Sequence, residues 1–173
     1  KKLLVFLITF SLIIFITTII TINLIVYFWA KYIYLEDSRL NLSKNIDSFL
    51  ILLKENDLTN IEKTIKDLGV KLNLRVSIID GEGNLIAESE NLETHENHLN
   101  REEIINANKY GQASSVRFSN SVHKELLYVA KKFELEDKTY FIRMSAFTDK
   151  ILEDFKKLAL KIFIYIIIIY LIA

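Results

Sequence analysis

The sequence contains no cysteine and no proline, and it has only four glycines. Without cysteine the chain cannot form a disulfide, a thiolate metal site or a thioether bond to haem. Proline is the residue that most strongly interrupts an α-helix, so its absence allows long helices. The fragments "GEG" and "YGQ" do not form a nucleotide-binding glycine loop. No catalytic constellation is present either, so we predict no catalytic residue in this chain.

Charge is absent from one long stretch near the beginning of the chain. Leu3 to Ala30 contains no charged residue, and Lys1, Lys2 and Lys31 bracket it. At about 1.5 Å per residue this stretch is longer than a hydrocarbon core of about 30 Å. A cleaved secretory signal has a shorter apolar core followed by small residues. We therefore predict that residues 1–30 form a retained first transmembrane helix.

A second apolar run lies at the other end of the chain. Only twelve residues follow Lys161 in "KIFIYIIIIYLIA", whereas a span needs about 20. We expect residues 162–173 to be the start of a second transmembrane helix, truncated here. Two spans place both termini on one side, and Lys1 and Lys2 favour the cytoplasm. The prediction is a multi-pass protein of the plasma (inner) membrane with an extracytoplasmic domain at residues 31–161.

The segment between the apolar runs has the composition of a soluble domain. It holds all 22 acidic residues and all basic residues except Lys1 and Lys2. No basic patch stands out, so nucleic acid is not predicted as a partner. About 130 residues are enough for one hydrophobic core.

Hydrophobic periodicity predicts helices in the first part of this domain, residues 31–70. Apolar residues recur at intervals of three and four from Leu35 to Leu53, which indicates that the first helix continues to the break at "ENDLTN" (55–60). A second helix follows, for which Gly69 is the expected C-terminal cap.

The period then changes to two, which predicts a sheet over residues 75–147. The expected strands are a hairpin at 76–89 and single strands at 113–119, 125–133 and 138–147. The insert 90–111 contains a helix for which we predict Asn100 as N-cap, Glu103 in a capping box and Gly111 at the end. Thr148 and Asp149 begin an exit helix over 148–161. The predicted fold class is α+β: a PAS-like or single Cache domain with a five-stranded antiparallel sheet.

Two groups of polar residues are weak candidates for ligand chemistry. "DGEGN" (80–84) lacks the later residues of a calcium loop, so we interpret it as a hairpin turn. "HENH" (95–98) contains His95 and His98, but two histidines without a third ligand do not predict a metal site. Either a solvated loop or a pH-sensing pair remains open, since nearby acids would raise a histidine pKa.

Arg117 and Arg143 are the stronger candidates, because an arginine among apolar strand residues needs an anion or a carboxylate. A tight turn after Leu135 would place Ala130 opposite Arg143. Counting residues across the connection "NSVHK" (120–124) places Leu127 opposite Arg117. This register puts the two arginines on different faces, and a slip of one residue would reverse that. Ligand contact and structural ion pairing both remain open. The candidate ligand-binding residues are Arg117, Ser119, Tyr128, Arg143 and Ser145.

Four stretches together resemble the extracytoplasmic sensor region of phosphate-regulon-type sensor histidine kinases. They are "VSIIDGEGNLIAES" (76–89), "ENHLNREEI" (96–104), "SSVRFSNSVHKELLYVAKKF" (114–133) and "FIRMS" (141–145). The chain departs from the family pattern at Glu102, where a proline is usual, and at "KKFELEDK" (131–138), which replaces a proline-bearing loop.

The resemblance implies a two-component sensor histidine kinase that relays an extracytoplasmic stimulus to a kinase core absent from this chain. That core would use ATP and Mg, and its partner would be a cognate response regulator. The resemblance further implies a homodimer formed through the long first helix and an unknown small extracytoplasmic ligand. No cofactor is expected in the residues given. The alternatives are the ligand-binding region of a methyl-accepting chemoreceptor or of a membrane diguanylate cyclase.

Overall fold

The computed structural model describes residues 1–55, 61–90, 97–120, 122–148, 153, 156–162 and 164–165. It divides into two compact units, one of residues 1–34 with 150–173 and one of residues 35–149. The helices are α1 (Lys2–Glu55), α2 (Ile61–Leu72) and α3 (Glu102–Tyr110). The strands are β1 (Arg75–Asp80), β2 (Leu85–Glu88), β3 (Gln112–Ser119), β4 (Lys124–Leu135) and β5 (Lys138–Phe147).

In the first unit, α1 is one helix that is long and apolar enough to cross a membrane. Its most apolar window has a mean hydropathy of 2.9, and none of that window is buried in protein. The hydroxyls of Thr9, Thr17, Thr18 and Thr21 donate to carbonyls three or four residues earlier. These bonds satisfy polar groups that would otherwise meet hydrocarbon. Most of the expected second span falls outside the described residues. Residues 156–162, which lie mainly in the predicted exit helix, are helical.

The second unit is built on a five-stranded sheet in the order β2-β1-β5-β4-β3. All four neighbouring pairs are antiparallel. A two-residue turn at Glu136 and Asp137, both with positive φ, joins β4 to β5. The predicted α+β class and five-stranded antiparallel sheet are confirmed.

One face of the sheet, here called the α1 face, packs on the second half of α1 and on α2. Leu42, Ile46 and Phe49 of α1 and Ile65 of α2 lie against residues of β1, β4 and β5 in one apolar core. Their spacing of three and four residues in α1 matches the predicted pattern. The α1 face therefore holds most of the hydrophobic core of this unit.

The opposite face, here called the α3 face, carries a smaller apolar cluster. Ile104 and Ala107 of α3 pack on Ile79, Ala130 and Phe141. Because strand residues alternate between faces, the positions flanking these apolar residues also point toward α3. Those positions hold the polar side chains of the candidate site.

Two helix ends differ from the predictions, and the start of the exit helix falls mostly outside the described residues. Gly69 does not cap α2, which continues to Leu72. A Cβ at Gly69 would lie 2.3 Å from Cβ of Ser89, so glycine is needed there for close packing on the residue after β2. The N-cap of α3 is Arg101 rather than Asn100, without a side-chain cap bond, whereas Gly111 ends the helix as predicted. Thr148 donates to the carbonyl oxygen and carboxylate of Glu125, and Asp149 lies outside the described residues.

The turn at 80–84 is confirmed as a hairpin turn. Oδ1 of Asp80 accepts hydrogen bonds from the backbone N–H groups of Glu82 and Asn84, and Gly83 has a φ of 88°. The Asp80 carboxylate is thus used within the turn, as an Asx turn requires.

Candidate functional site

The α3 face of the sheet carries a row of polar and charged side chains that are buried or, as for Arg117, partly buried. They come from α3, from the segment before it and from all five strands, and are His98, Glu103, Arg75, Ser77, Glu88, Ser115, Arg117, Tyr128, Arg143 and Ser145. Buried charges are costly unless they are paired. Their concentration on one face therefore marks this face as the candidate functional site.

Glu103 lies at the centre of this face with none of its surface exposed. Its Oε2 accepts a hydrogen bond of 2.8 Å from the Ser115 hydroxyl. Its Oε1 lies 3.1 Å from Nη2 of Arg117 and 3.5 Å from Nη1 of Arg143. Burial would raise the pKa of Glu103, but the hydrogen bond and charge of Arg117 and the charge of Arg143 outweigh it and lower that pKa. Glu103 is therefore held ionised.

Arg117 and Arg143 lie on the same face, which corrects the expected register. Ala130 does lie opposite Arg143, but Arg117 pairs with Leu126 rather than Leu127. The expected pairing was wrong by one residue because the number of residues between β3 and β4 does not fix the register of the two strands. Both guanidinium groups approach the ring of Tyr128, at 4.0 Å for Arg117 and 5.2 Å for Arg143. Tyr128 therefore adds cation–π contact to both arginines.

The polar network continues from Arg143 across β1 to β2. Nη2 of Arg143 donates to the Ser77 hydroxyl at 3.2 Å, and this hydroxyl donates to Glu88 at 2.9 Å. Glu88 in turn pairs with Arg75 at 3.0 Å. The side-chain contacts therefore run from β3 through α3, β5 and β1 to β2.

His98 joins this network from the segment before α3. It is 4% exposed, and its Nδ1 lies 3.5 Å from Nη1 of Arg143. Burial, followed by the charges of Arg143 and Arg101 and then of two further arginines, lowers the pKa of His98 from 6.5 to about 4. The sequence predicted a raised pKa from nearby acids, and this direction was wrong because the ring is buried among arginines. His95 lies outside the described residues.

The remaining candidates occupy the margins of the α3 face. Ser145 is buried and lines a cavity of about 210 Å³ together with Arg75, Leu126 and Phe147. Ser119 is buried at the end of β3, beyond Arg117. The cavity is thus next to the charged network and shares Arg75 with it.

A larger open groove of about 750 Å³ lies on the α1 face. Leu50 and Ile51 of α1 and Phe133 of β4 contribute to its lining, and Lys131 and Asp47 form an ion pair at its side. Both side chains of that pair are partly exposed, so solvent screens their charges. Among the described residues, the lining of the groove contains no buried polar side chain of the kind that orients a small ligand.

Sequence reasoning missed four members of the network, namely Arg75, Ser77, Glu88 and Ser115, and it gave Glu103 a different role. Glu103 was expected to cap its own helix, but its side chain points to the sheet. Arg75 and Ser77 alternate in β1, a pattern that could have placed both on one face. Glu88 could then have been found only from the register of β1 with β2.

Replacing Glu103 with glutamine should destabilise the domain strongly. Glu103→Gln leaves two arginines with no carboxylate between them, and breaking a buried ion pair costs about 3–5 kcal/mol. The adjacent exposed residue provides the control, because Glu102→Gln should stay within about 0.5 kcal/mol of the original chain. Chemical unfolding followed by circular dichroism measures both. Equal stability of the two variants would show that Glu103 does not hold the arginines.

The lowered pKa of His98 predicts a loss of stability on mild acidification. The unfolded chain binds a proton at His98 near pH 6.5, and the folded chain does so only near pH 4. Stability should therefore fall as the pH drops through this window, by at most about 1.4 kcal/mol per pH unit for one group. Between pH 7 and 5, the free energy of unfolding should depend less steeply on pH for His98→Gln than for the original chain. Identical slopes would contradict a buried neutral His98.

Comparisons with known proteins agree with this architecture. The profile of the family described as Single Cache-like matches residues 36–146. The fold is similar to the ligand-binding domain of the Campylobacter jejuni chemoreceptor Tlp3, crystallised with 4-methylisoleucine. The identity is 10% and the TM-score 0.56, over 75% of this chain and 57% of that one. The V. cholerae histidine kinase DctB sensor domain matches at 11% identity and a TM-score of 0.47, over 72% and 59% of the two chains.

A comparison with curated proteins found no match. The chain spans less than two thirds of each of the two structures above, and at these identities the Tlp3 similarity concerns the fold alone. The family match covers more than half of the chain, including the strands that carry the charged network. The chain belongs to the single Cache-like family.

Proposed function

We propose that this chain is the sensing region of a membrane signalling protein and binds a small extracytoplasmic ligand on the α3 face of its sheet. The observation that carries the proposal is the buried charged network beside a cavity of about 210 Å³. A domain of this size can form its core from apolar residues alone, as the α1 face does. Buried arginines with convergent polar groups next to a cavity are typical of a ligand site.

The proposed topology follows from the first unit. Residues 1–30 are the first transmembrane helix, residues 31–161 are the extracytoplasmic sensor domain, and residues 162–173 begin a second span in the plasma (inner) membrane. The exposed apolar surface of α1 and its internally bonded threonines support the first span. The multi-pass topology rests on the apolar composition after Lys161.

The proposed output is a histidine kinase of the phosphate-regulon type, as the sequence resemblance implies. Its cytoplasmic core would use ATP and Mg to phosphorylate itself and pass the phosphoryl group to a response regulator, and it would act as a homodimer joined through α1. A chemoreceptor or a membrane diguanylate cyclase can carry the same sensor layout. The coding sequence after Ala173 distinguishes them, because only a kinase encodes a phospho-accepting histidine followed by nucleotide-binding motifs.

Filling the cavity should abolish ligand binding without affecting the groove on the α1 face. The full chain in nanodiscs is screened by thermal shift with amino acids, organic acids, sugars and inorganic phosphate. For any compound that raises the Tm, Ser145→Leu should remove the shift, because the added side chain occupies the cavity. The matched variant Ile51→Trp, which fills the groove, should leave the shift unchanged. No shift with any compound, or a shift lost only in Ile51→Trp, would contradict the proposed site.

A further inference from the structure

The contacts of α1 with β4 show how the strands are placed along this helix. Lys131 of β4 pairs with Asp47 of α1. Leu53, six residues further along α1, lines the same groove as Phe133 and Leu135, which lie further along β4. The second half of α1 and β4 therefore run in the same direction.

The same comparison, followed backwards, locates the strand ends that lie near the start of the second unit. From Asp47 back to Leu35 the helix covers about 18 Å, and from the ion-pair partner of Asp47 back to Leu126 the strand covers about 17 Å. Leu126 pairs with Phe147 of β5, and the residue before it in β4 pairs with Phe118 of β3. The ends of β3 and β5 therefore lie near the level of Leu35, the first residue of this unit.

Four large apolar side chains are exposed at this end of the second unit, here called the base. They are Val70, Leu72, Phe118 and Phe147, which are 81%, 37%, 57% and 45% exposed. The end of α2 belongs to the base because Val70 and Phe147 line the same cavity. Among the described residues of this unit, no phenylalanine outside the base is exposed. Exposed apolar side chains that gather at one end of a domain mark an interaction surface.

The part of α1 that precedes the base indicates what this surface contacts. Aromatic residues follow the apolar stretch there, namely Tyr27, Trp29, Tyr32 and Tyr34. Tyrosine and tryptophan are enriched at the level of lipid headgroups. Trp29 precedes Leu35 by six residues, which is a rise of about 9 Å along a helix, and the headgroup layer on each side of a bilayer is about 5–7 Å thick. The base therefore begins within reach of the headgroups.

We propose that the base docks on the headgroup layer of the membrane that α1 crosses. This inference rests on the proposed first span and goes beyond the proposed ligand binding. Because α1 tethers the domain to the bilayer, docking costs little translational freedom, and partial burial of the four apolar side chains of the base is enough to favour it.

Apolar contact, rather than the charge of the headgroups, drives this docking. Charged residues of both signs lie at the same end of the unit, among them Lys71, Lys124, Glu90 and Glu125. The base is therefore not a cationic surface that selects anionic lipids, and we expect a zwitterionic lipid, phosphatidylcholine, to be a sufficient partner.

Labelling of single cysteines tests whether lipid covers the base. The chain has no cysteine of its own, so Val70→Cys at the base can be compared with Ile51→Cys on α1, where isoleucine is 63% exposed. Each full-length variant is placed in phosphatidylcholine nanodiscs with one copy per disc and treated with an uncharged, water-soluble maleimide. Exposure within the protein alone predicts faster labelling at position 70. Docking predicts the reverse, with labelling about threefold slower there than at position 51.

The other outcomes of the labelling experiment are equally informative. Equal rates after unfolding in detergent would confirm that both thiols react normally. Labelling of Val70→Cys as fast as that of Ile51→Cys in the discs would overturn the docking. Protection of Val70→Cys only in discs that hold two copies would assign the base to contact with a second copy, and would also overturn it.

Tryptophan fluorescence separates the docking from the span on which it rests. Trp29 is the only tryptophan in the chain, so its quenching by brominated phosphatidylcholine reports the span. In a Trp29→Phe chain, Phe118→Trp places the fluorophore at the base. Tyr110→Trp places it at an exposed residue near Gln112, which pairs with Lys131, well away from the base. We expect the lipid to quench Phe118→Trp and not Tyr110→Trp, with the Tm of both variants near that of the Trp29→Phe chain. Quenching of Trp29 without quenching of Phe118→Trp would overturn the docking and leave the span intact, whereas no quenching of Trp29 would overturn both.

Discussion

The sharing of one buried carboxylate between two arginines is the interaction on which the α3 face depends. Glu103 reaches Arg117 and Arg143 only because α3 packs on β3 and β4, and the two arginines reach Glu103 only because the register places them on one face. Removing Glu103 leaves the guanidinium of Arg143, which is 2% exposed, without a carboxylate partner in hydrogen-bond range among the described residues. A purely apolar contact would tolerate small shifts of α3, whereas this contact requires one position.

The two faces of the sheet divide the tasks of the domain. The α1 face joins two helices to three strands through aliphatic side chains, and such a core gains stability from area rather than from geometry. The α3 face has a smaller apolar cluster, and its polar groups form ion pairs and hydrogen bonds of 2.8 to 3.5 Å. The stability of this face therefore depends on the positions of individual polar atoms.

The parts of the fold that could be predicted are those governed by short-range patterns. The intervals of three and four in α1 and the alternation in β1, β3, β4 and β5 are visible in single segments, and the tight turn after Leu135 fixed the pairing of Ala130 with Arg143. The register of Arg117 was predicted wrongly because it depended on the connection between β3 and β4, whose length in residues does not determine how the two strands pair. The roles predicted for Gly69 and Glu103 were wrong for a related reason. A glycine near a helix end and a glutamate in a first turn have common local uses, and only the tertiary neighbours Ser89, Arg117 and Arg143 reveal that these two residues serve packing and pairing.

The chemistry of the candidate site could be predicted better than the set of residues that form it. Mid-strand arginines indicated a buried anion, which the structure supplies as Glu103, and His98 was found, although for the wrong electrostatic reason. Acids precede His98 in sequence, but arginines surround it in space, and the sign of a pKa shift follows the spatial neighbours. A histidine with a raised pKa would change charge at mildly acidic pH, whereas His98, with its pKa lowered to about 4, stays neutral there. The spatial neighbours of His98 thus argue against the pH-sensing role that its neighbours in sequence had left open.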